Sequence, residues 1–380
     1  MPWSVSDVQQ QRLEACLQVR KLGRCVTEVA RDYGVSRQDL HKWLKRFDEQ
    51  GLDGLQDRSR RPSQSPTRTP QHMEQQVLEL RVRYPTWGPE KLRHKLLEKG
   101  VEGVPSERTC ARILKRNGCI AQPVPAPEPL TRFERAAPNE LWQLDFKSRL
   151  YLPGKPRVRV MPMTIVDDCS RFALCLRANQ NSQFVTVWPI LWDVMGDYGM
   201  PDAILTDNDS IFRGHKGGIT GFTACLIRLN IRHSSGRAYH PQTQGKVERL
   251  HGTIQRDVLN NHQCTTVQEL QCAFDQFRTV YNYERPHQSL GLDVPARHYR
   301  PSPRRRPEKL PEIDYPAGAM LRKVWQNGSI QLRGCRVHIG EGIAGEYVRI
   351  VDRDHEFDVL YGERVIRTLR WDQLRPDQWA

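Results

Sequence analysis

The sequence predicts a multidomain fold: α-helical helix-turn-helix modules, then an α/β core, then a C-terminal small β-barrel. Three observations carry this expectation. Apolar residues recur at helical spacing before residue 120. Between residues 138 and 299, short apolar strands alternate with helical stretches in the order βββαβαβαα. Five short strands then fall within residues 318–376, with the hairpin signal Asn327-Gly328 among them.

The chain has 380 residues, enough for two to four domains. Its net charge is +14 and its pI is about 9.5. Such an excess favours a polyanionic partner, because each Lys or Arg that neutralises a phosphate releases counterions. A solvated basic surface would have the same composition. The ten cysteines contain no Cys-x-x-Cys pair and no zinc-finger spacing. Without a signal peptide, they are expected to be reduced thiols in a cytoplasmic protein. No apolar run reaches membrane-spanning length, so no membrane partner is expected.

Three linkers divide the chain. Residues 57–72 form a basic linker containing DRSRRPSQSPTRTP, residues 121–137 a Pro-rich one containing AQPVPAPEPL, and residues 300–317 a basic Pro-rich one containing RPSPRRRPEKLPE. Proline fixes φ and removes a backbone donor, so these run extended. Arg58, Arg60 and Arg61 in the first, and Arg304, Arg305 and Arg306 in the third, suit a phosphate backbone. A soluble hinge is the other reading, and the two are compatible.

The domains so bounded are residues 1–56, 73–120, 138–299 and 318–380. In the first, a turn at Gly34 leads into a helix capped by Ser36, with Asp39 three residues on. Its apolar face is Leu40, Trp43, Leu44 and Phe47; its other face offers Arg37, Gln38, His41, Lys42 and Arg46. A capped helix after a Gly turn is the layout whose second helix enters the DNA major groove, though an ordinary helical hairpin looks the same. Residues 73–120 repeat the plan. Pro89 begins one helix and Gly100 ends it; Ser106 caps the next, which presents Arg108, Arg112 and Lys115.

In the α/β core, LWQLDFK, RVRVMPMTIVDD and RFALCLRA read as an antiparallel meander. FVTVWPILWDVMGDYG reads as a helix that Pro189 is expected to kink. Asp145 lies within the first strand, where an unpaired carboxylate costs several kcal/mol unless paired or metal-bound. Lys147, on the same face, offers a simple ion pair. Asp207 ends the apolar strand AILTD, at the kind of position where α/β sheets form ligand crevices, or where aspartate caps a turn. If the first and fourth strands are neighbours, the two carboxylates repel and call for a cation between them. Oxygen donors without a Cys or His cluster point to Mg²⁺ or Mn²⁺. Glu248, on the helix after HPQTQGKVERLHGTI, is the candidate third donor. The Arg-rich strands of the C-terminal module could touch nucleic acid or another protein.

LWQLDFK, TIVDDCSRFAL, ILTDNDSIF, HPQTQGKVERLHGTI and YNYERPHQSL occur in this order, with 40 residues (208–247) between Asp207 and Glu248. Together they resemble the DDE transposases of bacterial insertion sequences, within the retroviral integrase superfamily. The resemblance implies an RNase H-like catalytic core and an Asp145, Asp207, Glu248 triad holding Mg²⁺ or Mn²⁺. The implied activity nicks double-stranded DNA at element ends and joins the freed 3′-hydroxyl to target DNA. A homo-oligomer bridging two DNA ends, and association with the nucleoid, are implied as well. Lys246, Arg249 and Arg256 are expected on the DNA backbone. His240, Pro241, Gln244 and Gly245 would shape the loop before the catalytic helix, and Asn282, Arg285, Pro286 and His287 would be mainly structural. Asp167 and Asp168 are expected to form a turn. Two positions depart from the family pattern: Asp209 replaces a glycine, and Gln255 replaces a Lys or Arg, with Arg256 beside it. Two other classes remain open: a DNA-binding regulator without strand transfer, and an RNase H-type nuclease acting on RNA–DNA hybrids, for which the helix-turn-helix modules have no use.

Overall fold

The architecture comes from a computed structural model that describes residues 8–57, 69–119, 134–154, 156–235, 245–261 and 263–370. The chain divides into two units, 1–68 and 69–380. In the first, α1 (Val8–Arg20), α2 (Val26–Asp32) and α3 (Arg37–Gln50) close around Ala15, Cys16, Val29, Leu40, Leu44 and Leu55. Ser36 starts α3 by accepting a hydrogen bond from the Asp39 amide at 3.0 Å. The Asp39 carboxylate takes the Ser36 hydroxyl rather than its amide, so only half of the expected capping box forms.

In the second unit, α4 (Gln71–Arg83), α5 (Pro89–Glu98) and α6 (Glu107–Arg116) bury Val77, Leu80, Trp87, Leu92, Ile113 and Leu114. Pro89 opens α5, and Ser106 caps α6 through the Thr109 amide. This three-helix body packs on the core through the YNYERPH motif and the segment that follows it. The Tyr84 hydroxyl donates to Glu284, and Arg297 pairs with Glu98 at 3.1 Å.

The core sheet holds β1 (Trp142–Phe146), β2 (Leu150–Leu152), β3 (Val158–Asp167) and β4 (Ala173–Asn179), joined by β5 (Ala203–Thr206) and β6 (Arg232–Ser235). The meander formed as expected, with the short β2 added; its Tyr151 is exposed and too brief a run to register as a strand. Strand order is β2-β3-β1-β5-β6, with β4 also pairing β3, and β1–β5 and β5–β6 are parallel. Helices α7 (Phe184–Tyr198) and α8 (Gly221–Arg228) cover one apolar cluster; α9 (Gly245–Ile254) and α10 (Val267–Tyr283) cover another. A short α11 (Pro295–His298) closes the segment. Helix α7 runs continuously through Pro189: the carbonyl that proline leaves without a donor belongs to exposed Val185, where water can bond it.

Residues 300–312 are extended but not a free hinge. Arg304 donates to the carbonyls of Pro201, Leu229 and Asn230, and its own carbonyl accepts from Met200. The strap lies so close that a Cβ on Gly199, which has φ +77°, would stand 2.4 Å from the Ser302 carbonyl oxygen.

The C-terminal strands form two open sheets rather than the expected closed barrel. Strands β7 (Leu321–Lys323), β10 (Tyr347–Arg353), β11 (Glu356–Tyr361) and β12 (Arg364–Arg370) pair in the order β12-β11-β10-β7, while β8 (Ser329–Leu332) pairs only β9 (Cys335–His338). The Asn327-Gly328 turn exists, but its flanking strands belong to different sheets. The physical reason is lateral: Ile219 and Ala224, at and within α8, sit in the same apolar cluster as Val324, Ile330 and Val348, so the core seals what ring closure would otherwise seal.

Asn282, fully enclosed on α10, bonds both backbone groups of Ala173: its oxygen accepts from the amide at 2.8 Å and its amide donates to the carbonyl at 3.0 Å. Asn282→Ala strands both groups in the interior and should cost about 2–3 kcal/mol in urea unfolding. A loss below about 0.5 kcal/mol would show that this bridge does not hold the helix to the sheet.

Candidate active site

Strand β1 runs beside β5 with Gln143 opposite Leu205. Extending that register by two residues sets Asp145 opposite Asp207, at the carboxyl ends of adjacent parallel strands. The condition on which the sequence reading depended is therefore met. Asp145 is enclosed by the sheet and by α9, which packs on β1 and β3. Its pKa is pushed up to about 7, by burial first and then by the charges of Asp207 and Glu248. Asp207 is raised as well, chiefly by burial. Glu248 is exposed on α9. No ion pair joins Asp145 to Lys147 among the described residues, so the simple pairing is not what accommodates the carboxylate.

The nearest basic group to Asp145 is His251, one turn beyond Glu248, with Nδ1 3.7 Å from Oδ2. Burial holds its pKa down to about 4, so at neutral pH the contact is no salt bridge. The Thr164 hydroxyl donates to the Asp145 carbonyl at 3.2 Å and lies 2.9 Å from His251 Nε2. With its one hydrogen so used, Thr164 accepts from Nε2–H, and the Nδ1 lone pair faces the carboxyl. The Asp209 carboxylate takes the hydroxyls of Ser182 and Ser210, and its charge adds to the rise of Asp207. Its amide donates to Asp207 Oδ1 at 3.1 Å, and its carbonyl opens the turn at Phe212.

Residues 135–241 and 229–295 each match the model of an integrase core domain. Residues 11–63 match a helix-turn-helix domain, and residues 40–114 a homeodomain-like domain. The chain is 27% identical over 164 residues to an insertion element IS407 uncharacterized 31.7 kDa protein of Burkholderia multivorans, covering 42% of this chain and 55% of the relative. It is 26% identical over 159 residues to an insertion element IS476 uncharacterized 39.2 kDa protein of Xanthomonas euvesicatoria, covering 42% and 44%. The chain thus spans about half the length of these curated relatives. A structure of the HTLV-2 integrase catalytic core domain in complex with magnesium aligns at 19% identity with a TM-score of 0.32, covering 43% of this chain and 99% of that one.

The basic residues expected on DNA fare differently around this core. Arg37, Gln38, His41 and Lys42 are exposed on α3, with Arg46 half-buried, and Arg108, Arg112 and Lys115 are exposed on α6, each set opposite its helix's apolar face. Arg249 and Arg256 are exposed, and Arg305 is exposed on the strap. Three others depart from the expectation because the protein itself engages them. Arg304 binds core carbonyls, Arg306 stacks 4.6 Å over Trp192, and Lys246 pairs with Asp168 at 2.5 Å. Arg58, Arg60, Arg61, His240, Pro241 and Gln244 lie outside the described residues, as do the greater part of the linkers at 57–72 and 121–137. The π-helical turn Gln255–Leu259 continues α9, so the residues from Gln255 on do not keep α-helical phase with Glu248.

Sequence reasoning missed His251 and Asp168. The first was legible as the residue three positions after Glu248, on a neighbouring helix face. The second was legible as a polar pair, Asp167-Asp168, ending an apolar strand, but its partner is 78 residues away.

If Asp145 is to ligate a cation, it must first lose its proton. Mn²⁺ affinity, titrated by electron paramagnetic resonance, should therefore rise from about pH 6 to about pH 8. In the metal-free chain the folded state keeps that proton where the unfolded state has released it, so this group's contribution makes stability fall as pH rises from about 4 to about 7. An Mn²⁺ affinity flat across neutrality would contradict the raised carboxyl.

Proposed function

We propose that this chain is a transposase that cleaves double-stranded DNA at the ends of a mobile element and joins the 3′-hydroxyl to target DNA. What supports the reading is the parallel pairing of β1 with β5, which sets half-buried Asp145 beside Asp207, with Glu248 on α9 near enough to add to the rise of the Asp145 carboxyl. Like charges gathered in a half-buried crevice are stabilised by a cation, and an all-carboxylate donor set matches Mg²⁺ or Mn²⁺. Among the described residues no three such groups already stand at ligating distance. Exposed Glu248, on a flexible side chain, is the donor free to close on an ion held by the two aspartates. Bound there, Mg²⁺ or Mn²⁺ would supply Lewis acidity to the attacked phosphodiester and favour ionisation of the attacking hydroxyl.

The roles of the remaining groups follow from their placement. Neutral His251 keeps cationic charge out of the carboxylate centre. The amide of Asp209 fixes one oxygen of Asp207. The exposed cationic faces of α3 and α6 suit two stretches of duplex, and tandem modules read a longer end sequence than one helix does. During joining, the 3′-oxygen of the element end forms a new P–O bond while the target's own 3′-oxygen leaves, so the number of phosphodiesters is conserved. Joining both ends of one element to the same target suits a complex of several chains bridging the two ends.

The test is strand transfer of a labelled element end into plasmid with Mg²⁺ or Mn²⁺. Wild type should join, and Glu248→Gln, Asp145→Asn and Asp207→Asn should each lose at least about 10³-fold while still binding the end. End binding without joining by wild type would leave a DNA-binding regulator. Joining by Glu248→Gln at the wild-type rate would remove Glu248 from the site.

A further inference from the structure

We infer that Lys246 is not a DNA contact but a positioning residue, whose buried ion pair with Asp168 sets the rotation of the helix that carries Glu248. This rests on the proposed carboxylate site. The observations are geometric. The Lys246 ammonium lies 2.5 Å from Asp168 Oδ1 and 3.0 Å from the Asp168 carbonyl oxygen. Asp168 is wholly buried and Lys246 nearly so, with side-chain exposures of 0% and 13%. The same carboxylate also accepts from Gln143 Nε2 and from the Arg135 amide, both at 2.7 Å. Gln143 is two residues before Asp145 on β1. One carboxylate therefore ties the first turn of α9 directly to the strand that carries Asp145.

Helical phase explains what the tie controls. At about 100° per residue, Lys246 and His251 stand about 140° apart around α9. Buried Val247, Leu250 and Ile254 lie in the arc between them. The apolar stripe alone resists rotation weakly, because hydrophobic contact is non-directional. Two polar contacts on opposite flanks of the stripe resist it strongly: Lys246 on Asp168, and His251 on Thr164 and Asp145. Glu248 lies outside that arc, about 60° past His251. A helix rotation of about 10° carries a side-chain head, about 5–6 Å from the axis, through about 1 Å. Misplacement on that scale can lower a rate about 100-fold.

A DNA contact and a positioning pair predict different behaviour. If Lys246 positions, its partner Asp168 matters equally, although an acid would not be expected to grip DNA. Lys246→Met and Asp168→Asn in the full chain should each weaken Mn²⁺ binding, read by electron paramagnetic resonance, by about 10- to 100-fold. The double variant should be no weaker than the worse single, because both remove one interaction. Affinity for the element end, and its slope against salt, should stay at wild-type values in all three. Lys246→Arg, which keeps the charge, should recover part of the Mn²⁺ affinity. If Lys246→Met fails to fold, Asp168→Asn carries the test, since asparagine keeps the size and can still bond Gln143. The inference is overturned if Lys246→Met leaves Mn²⁺ binding intact while weakening end binding and flattening its salt dependence by about one charge. It is also overturned if Asp168→Asn is silent. Glu248→Gln is the reference: if wild type shows no Glu248-dependent Mn²⁺ binding, the carboxylate site itself fails and this inference with it. If Glu248→Gln weakens binding while the pair variants do not, only the positioning role fails.

Discussion

The parallel pairing of β1 with β5 is the constraint on which the rest of this structure depends. It joins strands whose paired residues lie 62 positions apart in the chain, Gln143 with Leu205, and sets Asp145 and Asp207 at neighbouring strand ends. Asp145 keeps its proton to about neutrality and the Asp209 amide bonds Asp207, while burial keeps His251 uncharged.

The helical layer is the second half of the device. The sheet fixes two carboxylates rigidly, but Glu248 sits on a helix whose only firm apolar anchors are Val247, Leu250, Ile254 and Val258. The polar ties at Lys246 and His251 supplement these anchors. Below Glu248, Arg285 pairs with Asp257 in the π-helical turn at 2.6 Å. That pair links the end of the same helical run to the YNYERPH segment, against which the second helical body packs. The route from α4–α6 to α9 is thus a chain of direct contacts within one unit.

Much of this organisation was legible in order and spacing. The caps at Ser36 and Ser106, the Gly turns, the meander and the apolar strand ending at Asp207 are local signals, each decided by a few neighbouring residues. The open C-terminal sheets were not legible, because ring closure depends on what else can cover an apolar cluster, and α8 does so here. The linker at 300–312 misled for a related reason. Proline and arginine dictate an extended backbone, but not whether that backbone lies on solvent or on protein.

The sequence by itself determined the three acids, their order and their separations, since donor chemistry and strand periodicity are properties of residues and near neighbours. It also determined that the chain is cationic and where basic faces alternate with apolar ones. Only the tertiary structure decided which cations remain available to a partner. Lys246, Arg304 and Arg306 looked like their neighbours in the chain, yet each is taken up by a group far away in sequence: Asp168, the carbonyls beyond Pro201, and Trp192. The physical reason is that a charge is committed by what lies within a few ångströms of it, and folding alone decides what that is.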